Sequence, residues 1–364
     1  MELTAPGMRR PAVVERDRFV DIALVVPLTG SAGMFGPSCE LCSQLAVEEL
    51  NAARGVLGRF VRLRVIDGSG WAPDVAARVG RLARSGEVSA VVGWHLSSVR
   101  RAMAPKLAGL VPYVYTALYE GGEEMPHVYL TGETPPRQLL PGMRWLAAER
   151  GVRRWFVIGN DYVWPRRTAA QARRFADECG GTVCDMRFVP LGTQDFGNVL
   201  DAIERSRADA VVMLLVGEDA VVFNRGFAQR GLHNGCIRLS TLMDENMLLG
   251  SGGEATADLW TLSAYFEALV TSDSLDFGRR YVERFGAHAP PLNSMGESCY
   301  EGLRLLGALV ERAGSFDPAD LARVADGTSY GGPRGEVDLR DRHLNQPIYL
   351  AQASGLDFNV VATV

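Results

Sequence analysis

Short apolar runs that read as strands alternate with stretches whose apolar residues recur at helical spacing, and the alternation starts afresh at Trp155. This pattern commits a chain to parallel sheets covered by helices, because each parallel crossover needs a dozen or more residues and a helix supplies them compactly. Asp21-Ile-Ala-Leu-Val-Val-Pro-Leu28 reads as a buried strand, and residues 60–67 alternate apolar and polar as a strand nearer a sheet edge does. Strands follow at 88–92 and 113–116. Between them run apolar stripes at Leu41, Leu45, Ala46 and Leu50, at Val75, Val79 and Leu82, and at Val99, Met103 and Leu107. Ser38 is the expected cap of the first helix, and Pro73-Asp74 announces the second. After Trp155 the rhythm gives strands at 155–159, 182–189, 208–216 and 237–241, with a helix through Phe196, Leu200 and Ile203.

A chain of 364 residues exceeds one ordinary core, so two domains are expected. Segments 132–136, 259–266 and 330–335 interrupt the pattern and read as crossovers between halves. A helical stripe through Met295, Cys299, Gly302, Leu306 and Leu309 lies between the second and third. Antiparallel-looking strands follow at 335–339, 347–353 and 358–363.

Composition excludes several function classes. A net charge of −5 leaves no basic footprint for nucleic acid, and no apolar run approaches the ~18 residues of a membrane span. The first residues lack the apolar core of a secretory signal, so the chain as written is expected in the cytoplasm, or in the periplasm or at the cell surface if its start is trimmed or misassigned. Cys39 and Cys42 form a C-x-x-C without a second pair for zinc, and without the Pro or Gly usual in a thioredoxin-like motif. With Cys179 and Cys184 they read as free thiols. Neither metal nor cofactor is expected, since the five histidines have no ligand spacing and no Walker A loop or G-x-S-x-G elbow is present. Gly30-Ser-Ala-Gly33-Met-Phe-Gly36 sits where a dinucleotide fingerprint belongs, but it lacks the tight G-x-G, and Asp67 lies too far along to hold a ribose.

Two segments concentrate polar and aromatic groups: Val91-Val-Gly-Trp-His-Leu-Ser-Ser-Val-Arg-Arg101 and Val157-Ile-Gly-Asn-Asp-Tyr-Val-Trp-Pro-Arg166. Each is an apolar run ending near Gly, then a loop, then a helix, which is where α/β folds gather ligand contacts. They read as two half-sites facing one small polar molecule. Ser97 and Ser98 stand at a helix start whose free N–H groups favour a carbonyl oxygen or carboxylate, unless they only cap it. His95, beside Trp94, reads either as a hydrogen-bonded structural residue or as a contact. Tyr113 and Tyr115 share one strand face, so alternation does not choose between them, and Thr116 is a further donor. Asp161 precedes Tyr162 and Trp164 and competes as a helix cap, while Glu245 stands at a helix start.

These segments resemble the amide- and urea-binding branch of the type 1 periplasmic-binding-protein family, which includes the cytoplasmic sensor of aliphatic amidase operons. Val25-Val-Pro-Leu-Thr-Gly30, Leu45-Ala-Val-Glu-Glu-Leu-Asn51, Tyr119-Glu-Gly121 and Gly332-Pro-Arg-Gly-Glu-Val-Asp338 agree in the same order, so the resemblance spans residues 20–360. It implies an α/β fold of two doubly wound parallel-sheet lobes joined by three hinge crossovers. Lobe 1 would comprise 19–131 plus 265–330 and lobe 2 132–264 plus 331–364, with 1–18 a flexible N-terminal segment. It matches Ser97 to a ligand-contacting serine, selects Tyr115, and places Tyr162 and Trp164 as aromatics closing over the ligand. It also puts Ser31 on the cleft rim, His95 where the amide sensor has an aromatic residue, and Glu245 where amino-acid-binding relatives place an acid.

The implied function is a non-enzymatic receptor for a short amide, urea-like compound or amino acid, acting as a cytoplasmic sensor through a regulatory protein partner. The alternatives are the substrate-binding protein of an ABC transporter, partnered by its permease, and a Rossmann-type nucleotide-dependent enzyme. Neither direct nucleic-acid binding nor membrane insertion is expected.

Overall fold

The computed structural model describes residues 18–364, so the segment expected at 1–18 lies, but for Arg18, outside the described residues. The chain opens with β1 (Phe19–Val26), α1 (Gly36–Ala52), β2 (Phe60–Asp67), α2 (Ala72–Arg84), β3 (Ala90–Gly93), α3 (Ser97–Leu107), β4 (Tyr113–Tyr115) and β5 (Val128–Leu130). A second series follows: α4 (Leu139–Glu149), β6 (Arg154–Asn160), α5 (Val163–Glu178), β7 (Thr182–Val189), α6 (Gly197–Ser206), β8 (Ala210–Leu214), α7 (Glu218–Gln229), β9 (Ile237–Ser240), α8 (Glu245–Ser251) and β10 (Leu259–Ser263). The remainder is α9 (Ser272–Phe285), α10 (Ser294–Ala313), α11 (Pro318–Val324), β11 (Ser329–Gly332), β12 (Gly335–Arg340), β13 (His343–Asn345), β14 (Tyr349–Ser354) and β15 (Asp357–Thr363).

Two sheets result, ordered β2-β1-β3-β4-β5-β13-β12-β11 and β7-β6-β8-β9-β10-β14-β15. The first five strands of each are parallel and share one order, in which the chain steps to one side of its first strand and then to the other. That reversal opens a crevice at the carboxyl ends of β1 and β3 in one lobe and of β6 and β8 in the other. Two doubly wound α/β lobes were expected, and two are present.

The chain's passage between lobes differs in detail from expectation. Residues 259–263 form the last parallel strand of the second sheet, so the second crossing follows β10. The third does not occur at 330–335. There Gly332 pairs with Gly335 in a tight hairpin, with Gly335 at φ 84°, and the chain stays in the first sheet through β13. It crosses between Asn345 and Tyr349, which puts 331–345 with the first lobe's sheet and not the second's. Ser38 is not a cap either. The helix begins at Gly36 with Pro37 in its first turn, so Ser38 lies inside it, and the buried Ser38 Oγ accepts from Asn293 Nδ2 at 2.8 Å and Asn246 Nδ2 at 3.3 Å.

The helix α10 is buried along most of its length against α1 and the first sheet. Its glycines allow the approach: a Cβ on Gly302 would stand 2.5 Å from Thr116 Cγ2, and one on Gly296 2.8 Å from the Ser38 carbonyl oxygen. Where the crossovers meet, Arg334 is buried against Glu297, with Nη2 2.6 Å from Oε2. Its Nη1 donates to the Thr131 carbonyl at 3.1 Å and to Gln346 Oε1. Glu133 on the first crossing accepts from the Ala264 N–H on the second at 2.7 Å. Buried polar contacts thus tie the first passage to the second and to the third.

Candidate functional site

β3 ends in glycine because it runs hard against β1: at φ 156°, a Cβ on Gly93 would lie 2.0 Å from the Val25 carbonyl oxygen. The chain then turns through Trp94, His95 and Leu96 into α3, and on the facing lobe β6 turns through Asp161 and Tyr162 into α5. Trp94, His95, Ser97 and Tyr115 line one wall of the crevice, and Tyr162 and Trp164 line the other, with Ala117, Leu118 and Leu242 completing it. The walls leave about 10 Å³ between them, room for one water at most, so a solute enters only with the lobes parted.

Much of the first wall is braced by its own hydrogen bonds. His95 Nδ1–H donates to the Val25 carbonyl at 3.0 Å, and Nε2 accepts from the Tyr113 hydroxyl at 2.6 Å. Burial pushes its pKa down to about 4, so the ring is neutral with both nitrogens committed to protein. Tyr115 donates its hydroxyl to the His95 carbonyl at 2.7 Å, leaving its ring face as the wall. Behind it Arg100 is buried between Glu120 (2.9 Å) and Glu123 (3.2 Å), its guanidinium 5.2 Å from the Tyr115 ring centroid and 4.4 Å from that of Tyr119.

Two groups in the crevice lack this bracing. Ser97 Oγ and Trp164 Nε1, from opposite lobes, are buried without a well-formed hydrogen bond among the described residues, Ser97 standing beside the Tyr115 hydroxyl. Ser97 also opens α3, whose first N–H groups have no intrahelical acceptor and carry the positive end of the helix dipole, and Trp164 lies in the first turn of α5. Among the described residues no Asp, Glu, Lys or Arg lines the crevice itself; Glu120 and Asp219 stand behind its walls, near enough to bear on the Tyr162 hydroxyl. Such a site offers donors, a helix field and flat aromatic walls. It suits an acceptor-bearing planar molecule, and a buried ammonium would find no carboxylate there.

The other sequence-selected residues lie elsewhere. Ser98 is half-buried outside the crevice. Thr116 turns its hydroxyl toward Cys299 Sγ, 3.6 Å away in the core, because its strand face is covered by α10. Ser31 is at the rim, where its carbonyl accepts from the Glu218 N–H of the facing lobe at 3.0 Å. Glu245 is buried behind the crevice with Oε1 accepting from the Glu267 N–H at 2.8 Å, and burial holds its carboxyl well above the usual range. Asp161 pairs with Arg166 at 2.5 Å instead of capping α5.

Sequence reading passed over Asp219, whose carboxylate accepts from Asn160 Nδ2 at 2.5 Å and the Gly192 N–H at 3.0 Å beside Ser31. It also passed over the Arg100–Glu120 pair. An acid some twenty residues after an Arg carries no period that would signal a contact. Among the described residues all six cysteines are free, no group of three or more His, Cys, Asp or Glu is placed to hold a metal, and no helix is long and apolar enough to cross a membrane.

Comparison with known proteins agrees with this geometry. A Leu/Ile/Val-binding protein homolog from Brucella suis biovar 1 (strain 1330) is 27% identical over 284 residues, covering 74% of this chain and 71% of that one. A solute-binding protein of an ABC transporter from Rhodopseudomonas palustris HaA2, solved with p-hydroxybenzoic acid, superposes with TM-score 0.85 at 22% identity, covering 95% of this chain and 97% of that one. A leucine-binding protein from Thermotoga maritima MSB8 gives TM-score 0.83 at 22% identity, covering 95% and 98%. At that identity the structural likeness is one of fold. The model of the family described as periplasmic binding protein matches residues 20–357. With nearly the whole described chain inside that match, the protein belongs to the periplasmic binding protein family.

Proposed function

We propose that the interlobe crevice binds a small planar solute bearing a carboxylate or carboxamide on an aromatic or short apolar body, and that the chain is the solute-binding component of an ABC-type importer. The observation that carries the ligand class is the pair of donors without a well-formed hydrogen bond, Ser97 Oγ and Trp164 Nε1, among aromatic walls with no lining carboxylate. An amide fits these donors as a carboxylate does, whereas an amino acid would bury its ammonium without an anion beside it. The transport role rests on relatives named as Leu/Ile/Val-binding proteins and on fold neighbours that include transporter solute-binding proteins solved with benzoate and p-hydroxybenzoic acid. Solute bound to both walls favours the closed arrangement over the open one, and that differential affinity is what a permease reads.

The test is a thermal-shift and tryptophan-fluorescence screen of benzoate, 4-hydroxybenzoate, benzamide, acetamide, urea and leucine. A specific ligand raises stability by ~2.7 kcal/mol at a hundred times its dissociation constant. The expected result is saturable binding by a carboxylate or carboxamide. Leucine binding tighter than all of them would overturn the assigned ligand class.

A further inference from the structure

We propose that the molecule carries a second ligand site, for a small dicarboxylate, on its hinge side between the first and third crossovers and the flank of α5. A cavity of about 790 Å³ opens there, inside the roughly 300–1,000 Å³ span of small-molecule sites. It shares no lining residue with the interlobe crevice.

The charges around this cavity are unevenly committed. Its two buried carboxylates each have one oxygen held, Glu120 Oε1 by Arg100 at 2.9 Å and Glu133 Oε1 by the Ala264 N–H at 2.7 Å, while Glu120 Oε2 makes no hydrogen bond among the described residues. Two of its guanidiniums make no ion pair among the described residues, although Asp338 lies close enough to Arg137 to feel its charge. Arg167, exposed on α5, makes no ion pair among the described residues, and Arg137, on the first crossover, donates to the neutral Asn345 amide at 3.0 Å. Arg340 is held by Asp338, and the exposed Asp341 offsets part of the remaining charge. Leu344 and Ile348 supply an apolar floor. Two cations on separate elements above an apolar floor match a short carbon chain with a carboxylate at each end, because each guanidinium presents a planar fork to one carboxylate.

Occupancy here bears on closure. The cavity is built from both lobes, and Gln171 Nε2 of α5 donates across it to the Glu120 carbonyl at 3.0 Å. Tyr119 and Glu120 line the cavity and grip Arg100, whose guanidinium also faces the Tyr115 ring that walls the crevice. A dicarboxylate bridging Arg167 and Arg137 therefore stabilises the closed lobes, and by linkage it tightens solute binding in the crevice by the same factor that solute tightens it.

Calorimetric titration of the whole chain with malonate, succinate and glutarate, at ionic strength matched with sodium chloride, tests this. One member of the series should bind saturably at one site per chain. Arg167→Ala and Arg137→Ala should each weaken it at least about five-fold, as expected for loss of a hydrogen-bonded charge. Arg173→Ala, elsewhere on α5, should leave it unchanged. Ser97→Ala should also leave it unchanged, which separates this site from the crevice. The proposal is overturned if no diacid gives saturable heat, or if both arginine variants bind as wild type does.

Discussion

The Ser31 carbonyl of the first lobe accepts a hydrogen bond from the Glu218 N–H of the second, 3.0 Å away, across the rim of the crevice. This contact requires the glycine before Glu218. Gly217 has φ 53° and ψ −120°, and a Cβ there would stand 1.9 Å from the Ser31 oxygen.

Gly217→Ala is therefore expected to oppose closure more than it harms either lobe. The backbone strain costs about 1–3 kcal/mol, and the clash exists only when the lobes meet. Solute affinity should fall about ten-fold or more, and small-angle scattering should report a larger radius of gyration. Unchanged affinity and size would show that closure tolerates the side chain.

Ser97→Ala and Trp164→Phe each delete a donor that has no well-formed hydrogen bond within the protein. Folding stability should stay within about 0.5 kcal/mol of wild type for Ser97→Ala, since the Tyr115 hydroxyl beside it already bonds the His95 carbonyl. Affinity for the best ligand of the screen should fall about 5- to 150-fold for each. A large stability loss with intact affinity in Ser97→Ala would make the serine a structural cap.

Two buried groups near the crevice give opposite pH slopes. His95 has its pKa depressed by burial to about 4 against an ordinary 6.5, so the unfolded chain takes up the proton first. Stability is lost as pH falls from about 6.5 to about 4, by at most ~3 kcal/mol. Asp244 has its pKa raised by burial to about 7 from 3.8, so its contribution is present below about pH 4 and lost as pH rises to about 7, by at most ~4 kcal/mol. Asp244→Asn keeps an acceptor for the Met247 N–H, which the aspartate binds at 2.9 Å. It should match wild type near pH 4 and exceed it in melting temperature at pH 8. His95→Gln should lose the acid-side decline. Parallel melting curves for wild type and both variants from pH 4 to 8 would refute both assignments.

Arg334→Met should destabilise the chain by about 3–5 kcal/mol, because the buried carboxylates Glu297 and Glu301 lose their cation. Burial and the neighbouring Glu301 already push the Glu297 carboxyl upward, against the pull of Arg334. Adding Glu297→Leu should restore part of the loss in chemical denaturation, the rest staying with the buried Glu301. A double variant no better than Arg334→Met would mean that the arginine's bonds to Thr131 and Gln346 hold the crossovers.

Long elements were readable because burial imposes a period on them. The stripe at Met295, Cys299, Gly302, Leu306 and Leu309 marks the buried face of α10, and residues 182–189 and 60–67 match β7 and β2 end to end. β5 and β13 are three residues each, too short for any period, and were not foreseen. Missing β13 also moved the third crossover, since the Gly331-Gly-Pro-Arg-Gly335 stretch signals a turn equally well for a hairpin or a change of sheet. In the crevice, Trp94, His95 and Ser97 stood out because they are contiguous. Leu118 and Leu242 arrive there only through the strand order. Glu245 faces the second crossing because the Glu267 N–H lies there, a tertiary partner that no local pattern announces.

Three crossings also constrain the order in which the molecule can be completed. β5 is fully buried in the finished sheet, and its far neighbour β13 comes from residues 343–345. During synthesis from the N-terminus, the first sheet therefore carries an open strand edge while the whole second series of strands and helices emerges. Neither lobe can reach its final form as an isolated N-terminal fragment. The last twenty or so residues, which supply β13, β14 and β15, finish both lobes almost together.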